Sequence, residues 1–123
     1  MSRIVRIGGA SGYWGESDLA WAQLLAARPD YLVFDYLAEI TMSLMGRMRA
    51  RDAQAGYAPD FVANLARHLP AIADGGVKIV SNAGGVNPHA CADAVRKAVA
   101  EAGLHLRVSV VTGDDLMDRL GRL

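Results

Sequence analysis

Short apolar runs of β type alternate along this chain with longer runs whose apolar residues recur every three or four positions, the pattern of a parallel sheet covered by helices. Ile4 to Ile7 is the first such run and predicts a strand. After a glycine-rich turn, Leu19, Ala22, Leu25 and Ala26 recur at helical spacing until Pro29 and Asp30 stop them, and Tyr31 to Phe34 predicts a second strand. Leu37, Ile40, Leu44, Met45 and Met48 then make an apolar face and Arg47, Arg49 and Arg51 a wet one, so a helix is expected from about Ala38 to Arg51. Gly56, Tyr57, Ala58 and Pro59 break it, and Phe61, Leu65, Leu69 and Ile72 mark another helix that ends at Gly75 and Gly76. Val77 to Val80 predicts a third strand; Ala94, Val95, Ala98 and Ala102 line the helix after it, which Gly103 ends. Leu106 to Val111 predicts a fourth strand, with Thr112 and Asp115 spaced as a capping box for a last helix. The expected fold is α/β: a three-layer αβα domain around a mainly parallel sheet of about four strands, built from Rossmann-like βα repeats.

Composition narrows the class. The 123 residues are one domain's worth, enough to bury about two thirds of the unfolded surface, and they contain no repeat, low-complexity tract or linker. The single cysteine, Cys91, has no internal partner, and no basic segment followed by an apolar run opens the chain, so a reduced cytoplasmic setting is expected. No apolar run approaches the ~20 residues of a membrane span. Acidic and basic side chains balance at 13 each, with the basic ones scattered, which argues against a nucleic-acid surface and for a small-molecule or protein partner.

The chemistry concentrates in three βα turns, which cluster at the carboxyl ends of the strands in open sheets of this class. The first carries Gly8, Gly9, Ala10, Ser11, Gly12, Tyr13, Trp14 and Gly15; the second runs from Asp35 to Glu39; the third is Ser81 to Pro88. In the third, Gly84 and Gly85 let the backbone approach a ligand, and Asn87 before Pro88 is an N-cap followed by a preset first helical residue. Such a turn, with free N–H groups and a helix dipole behind it, suits an anion or a carbonyl. Gly9, Ser11, Gly12, Asn82, Gly84, Gly85 and Asn87 are therefore the candidate ligand-binding residues, and Asp35 and Glu39 the candidate catalytic carboxylates.

Each candidate has a plainer alternative. Asp35 could be a general base, a metal ligand or a ribose acceptor, or an Asp that caps a neighbouring helix or turn. Glu39 shares its face if the helix starts by Tyr36, yet an acid in a first turn is stabilised by the dipole alone. His89 could meet a ligand phosphate or simply be solvated, while His68 and His105 are expected to be structural. Cys91, on a first helical turn, is expected to be a small buried hydrophobe, and Met42, Met45 and Met48 to be core or interface filler. Tyr13 and Trp14 could stack on a ligand or anchor their turn. No His or Cys pair stands at ligand spacing, so no metal site is expected.

Two resemblances organise these turns. Gly9, Gly12 and Gly15, with Asp35 further on and Asn82, Ala83, Gly84, resemble the NAD(P)-binding fold of extended short-chain dehydrogenases. However, no tyrosine stands four residues before a lysine, since the only lysines are Lys78 and Lys97, and the stretch from Ala38 to Ala73 is helical in pattern where that fold places a strand. A longer resemblance runs through Ile7 to Gly15, Tyr31 to Met45 and Lys78 to Pro88, and on to the sequence Val111, Thr112, Gly113, Asp114, Asp115. These segments, in this order, resemble the amino-terminal part of the acyclic terpene utilisation protein A family. The resemblance implies a bacterial cytoplasmic protein of acyclic terpene catabolism, of citronellol or geraniol, with acyl-CoA thioesters as intermediates. It implies no settled reaction. Family members are several times longer, so a fragment or split part of a longer architecture is implied as well. The expectation is a domain that binds a small anionic or acyl-thioester ligand at the turns, with Asp35 or Glu39 moving a proton in lyase- or hydratase-type chemistry. The alternatives are the NAD(P)-binding reading and a non-catalytic subunit of a larger enzyme. Because parallel sheets need both faces covered and the Met42 to Met48 face is apolar, a homo-oligomer or a complex with a partner subunit is expected.

Overall fold

In the computed structural model the described residues are 3–10, 12, 14–15 and 18–122. They form β1 (Ile7–Gly9), α1 (Leu19–Ala26), β2 (Tyr31–Phe34), α2 (Glu39–Arg51), α3 (Pro59–Gly75), β3 (Lys78–Ser81), α4 (Pro88–Glu101) and a closing 3-10 helix, Met117–Arg122. The three strands make one open parallel sheet in the order β1-β2-β3, with Ile7 beside Tyr31, Tyr31 beside Lys78 and Phe34 beside Ser81.

The first strand lies further along than its apolar run suggests, because pairing begins only where β2 offers a partner. Opposite the residues before Ile7 stand Pro29, which has no N–H, and Asp30, whose carboxylate takes the Arg6 N–H at 2.9 Å. Ile4 and Val5 are left outside the ladder and exposed. Gly8 and Gly9 enter it instead. At Gly8 a Cβ would stand 2.8 Å from Leu32 Cδ2, so a larger residue there would have to displace that methyl group.

Period-2 alternation gives the sheet two unlike faces. Leu32 and Phe34 are 0% and 2% exposed, and Phe34 stacks on Trp21 of α1 at 4.0 Å between ring centroids. Phe61 of α3 meets Phe34 and Tyr36 edge-on, at 5.7 and 5.8 Å. Offset and edge-to-face rings of this kind add about 0.5–1.5 kcal/mol per pair beyond the area they bury. Helices α1 and α4 both pack beside α3, so the three form one layer over this face. The opposite face carries Ile7, Val33 and Val80, of which Ile7 is 67% and Val80 52% exposed. Sequential strand order explains the asymmetry: right-handed crossovers that always step in the same direction place every connecting helix on the same side. Among the described residues no second helical layer covers the other face.

Two further expectations take a different form. Residues 106–111 form no regular element and have no ladder partner among the described residues; the segment is held by the Leu104 N–H to the Val99 carbonyl at 3.1 Å and by Arg96 to the Val108 carbonyl at 3.1 Å. The last helix is a 3-10 turn, and the side chain that caps it is Asp115, which accepts from the Met117 N–H at 3.0 Å. Elsewhere the patterns and the elements agree to within a residue: β2 spans the same residues, α2 starts at Glu39 rather than Ala38, β3 runs Lys78–Ser81 rather than Val77 to Val80, and Gly76 ends α3 in the left-handed conformation at φ 61°.

Candidate functional site

The three turns meet at the carboxyl edge of the sheet. Gly12 lies flat against the backbone of Asp35, where any Cβ would collide with that peptide. Asp35 continues β2 with its side chain on the bare face, beside Asn82 in the same position after β3. The Asn82 amide donates to Asp35 Oδ1 at 2.6 Å, and its own oxygen accepts the Tyr36 N–H at 2.7 Å, so Asn82 buttons the second turn to the third. That amide, followed by the Leu37 N–H at 3.3 Å, holds the Asp35 carboxyl below its ordinary value. Asp35 is thus an ionised acceptor. Glu39 sits exposed in the first turn of α2.

The third turn is mostly occupied with its own structure. The Ala83 N–H bonds Ser81 Oγ, and those of Gly85, Val86 and Asn87 bond the carbonyls of Asn82, Gly56 and Gly84. Among the described residues only the Gly84 N–H in this stretch, Ala83 to Asn87, lacks a partner. Asn87 caps α4 through the Ala90 N–H at 3.4 Å and gives both amide hydrogens, at 2.8 Å each, to the carbonyls of Ala53 and Ala55. It therefore ties the α2–α3 connection to α4. Gly85, at φ 53°, leaves room for Met45, which is fully buried against it. Gly9 faces open space, and Ser11 and Tyr13 lie outside the described residues.

Beside this turn opens a cavity of about 1000 Å³, between β3 and residues 106–111. Its floor is the apolar flank of α3 and α4, with Leu65, Leu69, Val95 and Val99. Its mouth at the carboxyl edge is set by Leu37, Asn82, Gly84 and Asp114. Of the candidate ligand residues, Asn82, Gly84 and Gly85 line it; Gly9, Gly12 and Asn87 do not, nor do the carboxylates Asp35 and Glu39. Cys91 lies in its wall, buried, with its thiol pushed up to about 11 by desolvation, so it is a packing residue rather than a nucleophile at neutral pH. His68 stacks flat on Trp21 at 5.6 Å and is part of the aromatic cluster. Among the described residues no group of three or more His, Cys, Asp or Glu could hold a metal ion.

Three contributors were not among the candidate site residues. Arg49, on the wet face of α2, bonds the Val86 carbonyl and reaches Asp115 Oδ2 at 3.1 Å, fastening the end of the chain over the third turn. Leu37 and Asp114 frame the cavity mouth, and only the apolar run Leu106 to Val111 hinted at a wall there.

The family model for the acyclic terpene utilisation family protein AtuA matches residues 5–123, essentially the whole chain. The chain belongs to the AtuA family. No curated protein and no solved structure matches it. The match extends over all three turns and through the unpaired segment, so the AtuA family pattern takes in both walls of the cavity. No helix among the described residues of this AtuA family domain is long and apolar enough to cross a membrane.

Proposed function

We propose that this domain binds the acyl chain of an acyclic terpenoid thioester during terpene breakdown in the cytoplasm. The observation that carries the reading is the apolar cavity, whose lining includes Gly84, the residue of the stretch Ala83 to Asn87 whose N–H has no partner among the described residues. At about 1000 Å³ it lies at the upper end of the ~300–1000 Å³ span of small-molecule sites, with room for a branched ten-carbon chain. The Gly84 N–H and the Asn82 side chain stand where a thioester carbonyl would emerge, and a donor aimed at such an oxygen stabilises the negative charge that enolisation or addition places on it.

Asp35, kept ionised by the Asn82 amide and the Leu37 N–H, would act by orienting Asn82; neither it nor Glu39 lines the cavity, so the reading is of binding and carbonyl polarisation rather than of an assigned acid or base. In this reading residues 106–111 stand off β3 and form the wall that the acyl chain leans on. The NAD(P)-binding alternative has less support, because α2 and α3 follow one another between β2 and β3, where that fold places another strand.

Calorimetric titration with geranoyl-CoA, acetyl-CoA and free CoA tests the reading. The eight additional carbons of the longer acyl group, at about 0.8 kcal/mol each when buried, allow a preference of up to roughly 6 kcal/mol over acetyl-CoA. Filling the cavity with Val95→Trp should abolish that preference. Equal affinity for the three compounds, or a preference unchanged by Val95→Trp in a folded variant, would reject the cavity as the acyl site.

A further inference from the structure

We infer that the bare face of the sheet is where a second copy of this chain docks, the two sheets stacked with their strands antiparallel. Val33 and Val80 stand side by side at the centre of that face, and Ile7 on β1 extends the apolar strip. Two residues toward the amino end of the strands lie Tyr31 and Lys78; two residues toward the carboxyl end lie Asp35 and Asn82. All share the same side, because the intervals are even.

The charges at the two ends are opposite, and among the described residues neither has an ion-pair partner. Lys78 Nζ lies 5.2 Å from the centre of the Tyr31 ring and 3.4 Å from its hydroxyl, with no carboxylate beside it among the described residues. Asp35 has the Asn82 amide and the Leu37 N–H but no cation among the described residues. A parallel sheet normally has both faces covered, and contiguous exposed apolar area of this kind marks an interface.

Self-complementarity then fixes the arrangement. The Lys78 row and the Asp35 row are four residues apart, ~13 Å at ~3.3 Å per residue, and the Val33–Val80 row lies midway between them. A two-fold axis across the strands at that row sets valines against valines and brings the Lys78 end of one copy over the Asp35 end of the other, twice. Stacked sheets pack ~10 Å apart and long side chains span that gap. A two-fold axis along the strands would instead oppose like charges at both ends, which disfavours the parallel stack. The contact is isologous and closed, so it yields a dimer and no further growth.

Sedimentation of the whole chain from sub-micromolar to near-millimolar concentration tests this directly. A reversible monomer–dimer equilibrium is expected. Val80→Lys should leave a folded monomer, and Ile7→Lys serves if circular dichroism shows the first variant unfolded. Lys78→Glu and Asp35→Lys should each weaken dimerisation by about tenfold or more, and the double variant that carries both should regain most of it. A wild-type chain that stays monomeric throughout overturns the inference. So does a dimer indifferent to both face variants, or a charge-swapped double variant no better than the singles.

Discussion

At the scale of single residues, the site is held by exposed carboxylates that accept hydrogen bonds and by glycines that let backbones touch. Asp30, Asp35 and Asp115 all have folded-state values below the ordinary 3.8, the first through the Arg6 N–H, the second through the Asn82 amide and the third through the Met117 N–H. A lowered folded value means stability that is fully present above about pH 4 and is lost as pH falls through the folded value. Asp35→Asn removes one such contribution, so its melting temperature should fall less than the wild type's between pH 5 and about pH 2.5, a difference that calorimetry across that interval would show. An identical acid profile would mean that the Asn82 contact is not retained in solution. Gly85 makes a second residue-scale case, since at φ 53° a Cβ there would meet Met45 and stand 2.8 Å from the Gly56 carbonyl. Left-handed backbone costs a non-glycine residue about 1–2 kcal/mol, and overpacking adds about 1–3. Gly85→Ala should therefore lower stability by about 2–4 kcal/mol in denaturant titration, and adding Met45→Ala should recover less than the overpacking share, because the carbonyl clash and the φ remain.

At the scale of elements, residues 106–111 are the informative case. An alternating apolar run after a crossover helix has the pattern of a fourth parallel strand, and α4 delivers it next to β3, yet no ladder forms and a cavity separates the two. Ladder pairing has to outweigh the ordering of each residue added, about 1–2 kcal/mol of backbone entropy, and a segment with one face bare returns little from burial. Amide exchange should reflect this: the β2 amides should be the slowest in the sheet, and those of 107–110 should exchange orders of magnitude faster. Comparable protection in both would show that the fourth strand is paired in solution. The same reasoning explains what could be read beforehand. Strand β2, buried on the side of Leu32 and Phe34, and the caps at Asn87 and Gly76 are local signals written in a few adjacent residues. The start of β1 was not legible, because it is set by Pro29 and Asp30 on another strand. Nor was the partnership of Asn82 with Asp35, 47 positions apart, although both residues stood out in their own turns. The turn of Gly84 and Gly85 was legible as a place of close approach, but what approaches Gly85 is Met45 of α2 rather than a ligand.

At the scale of the molecule, strand order decides which surfaces need a partner. Three strands in sequence, with the right-handed crossovers usual for parallel strands, place α1, α3 and α4 over one face, and among the described residues nothing covers the other, so the sheet gains core from one side. The described helices cannot remedy this: Ile40 and Leu44 of α2 are themselves exposed, and that helix is anchored at the carboxyl edge through Met45 and Arg49. Stability drawn from a single layer should be modest, and whatever covers the bare face should raise it by mass action. If a second copy is the cover, folding and association are linked and the melting temperature depends on concentration. Each tenfold rise in protein should then lift the midpoint by a few degrees, since tenfold is about 1.4 kcal/mol and a domain of this size shifts by roughly 3–6 °C per kcal/mol at its midpoint, diluted by the share that unfolding of two chains assigns to each. Scanning calorimetry over a hundredfold concentration range measures this. A midpoint constant across the range would show that the chain unfolds as a monomer, and that its exposed valines meet no second copy.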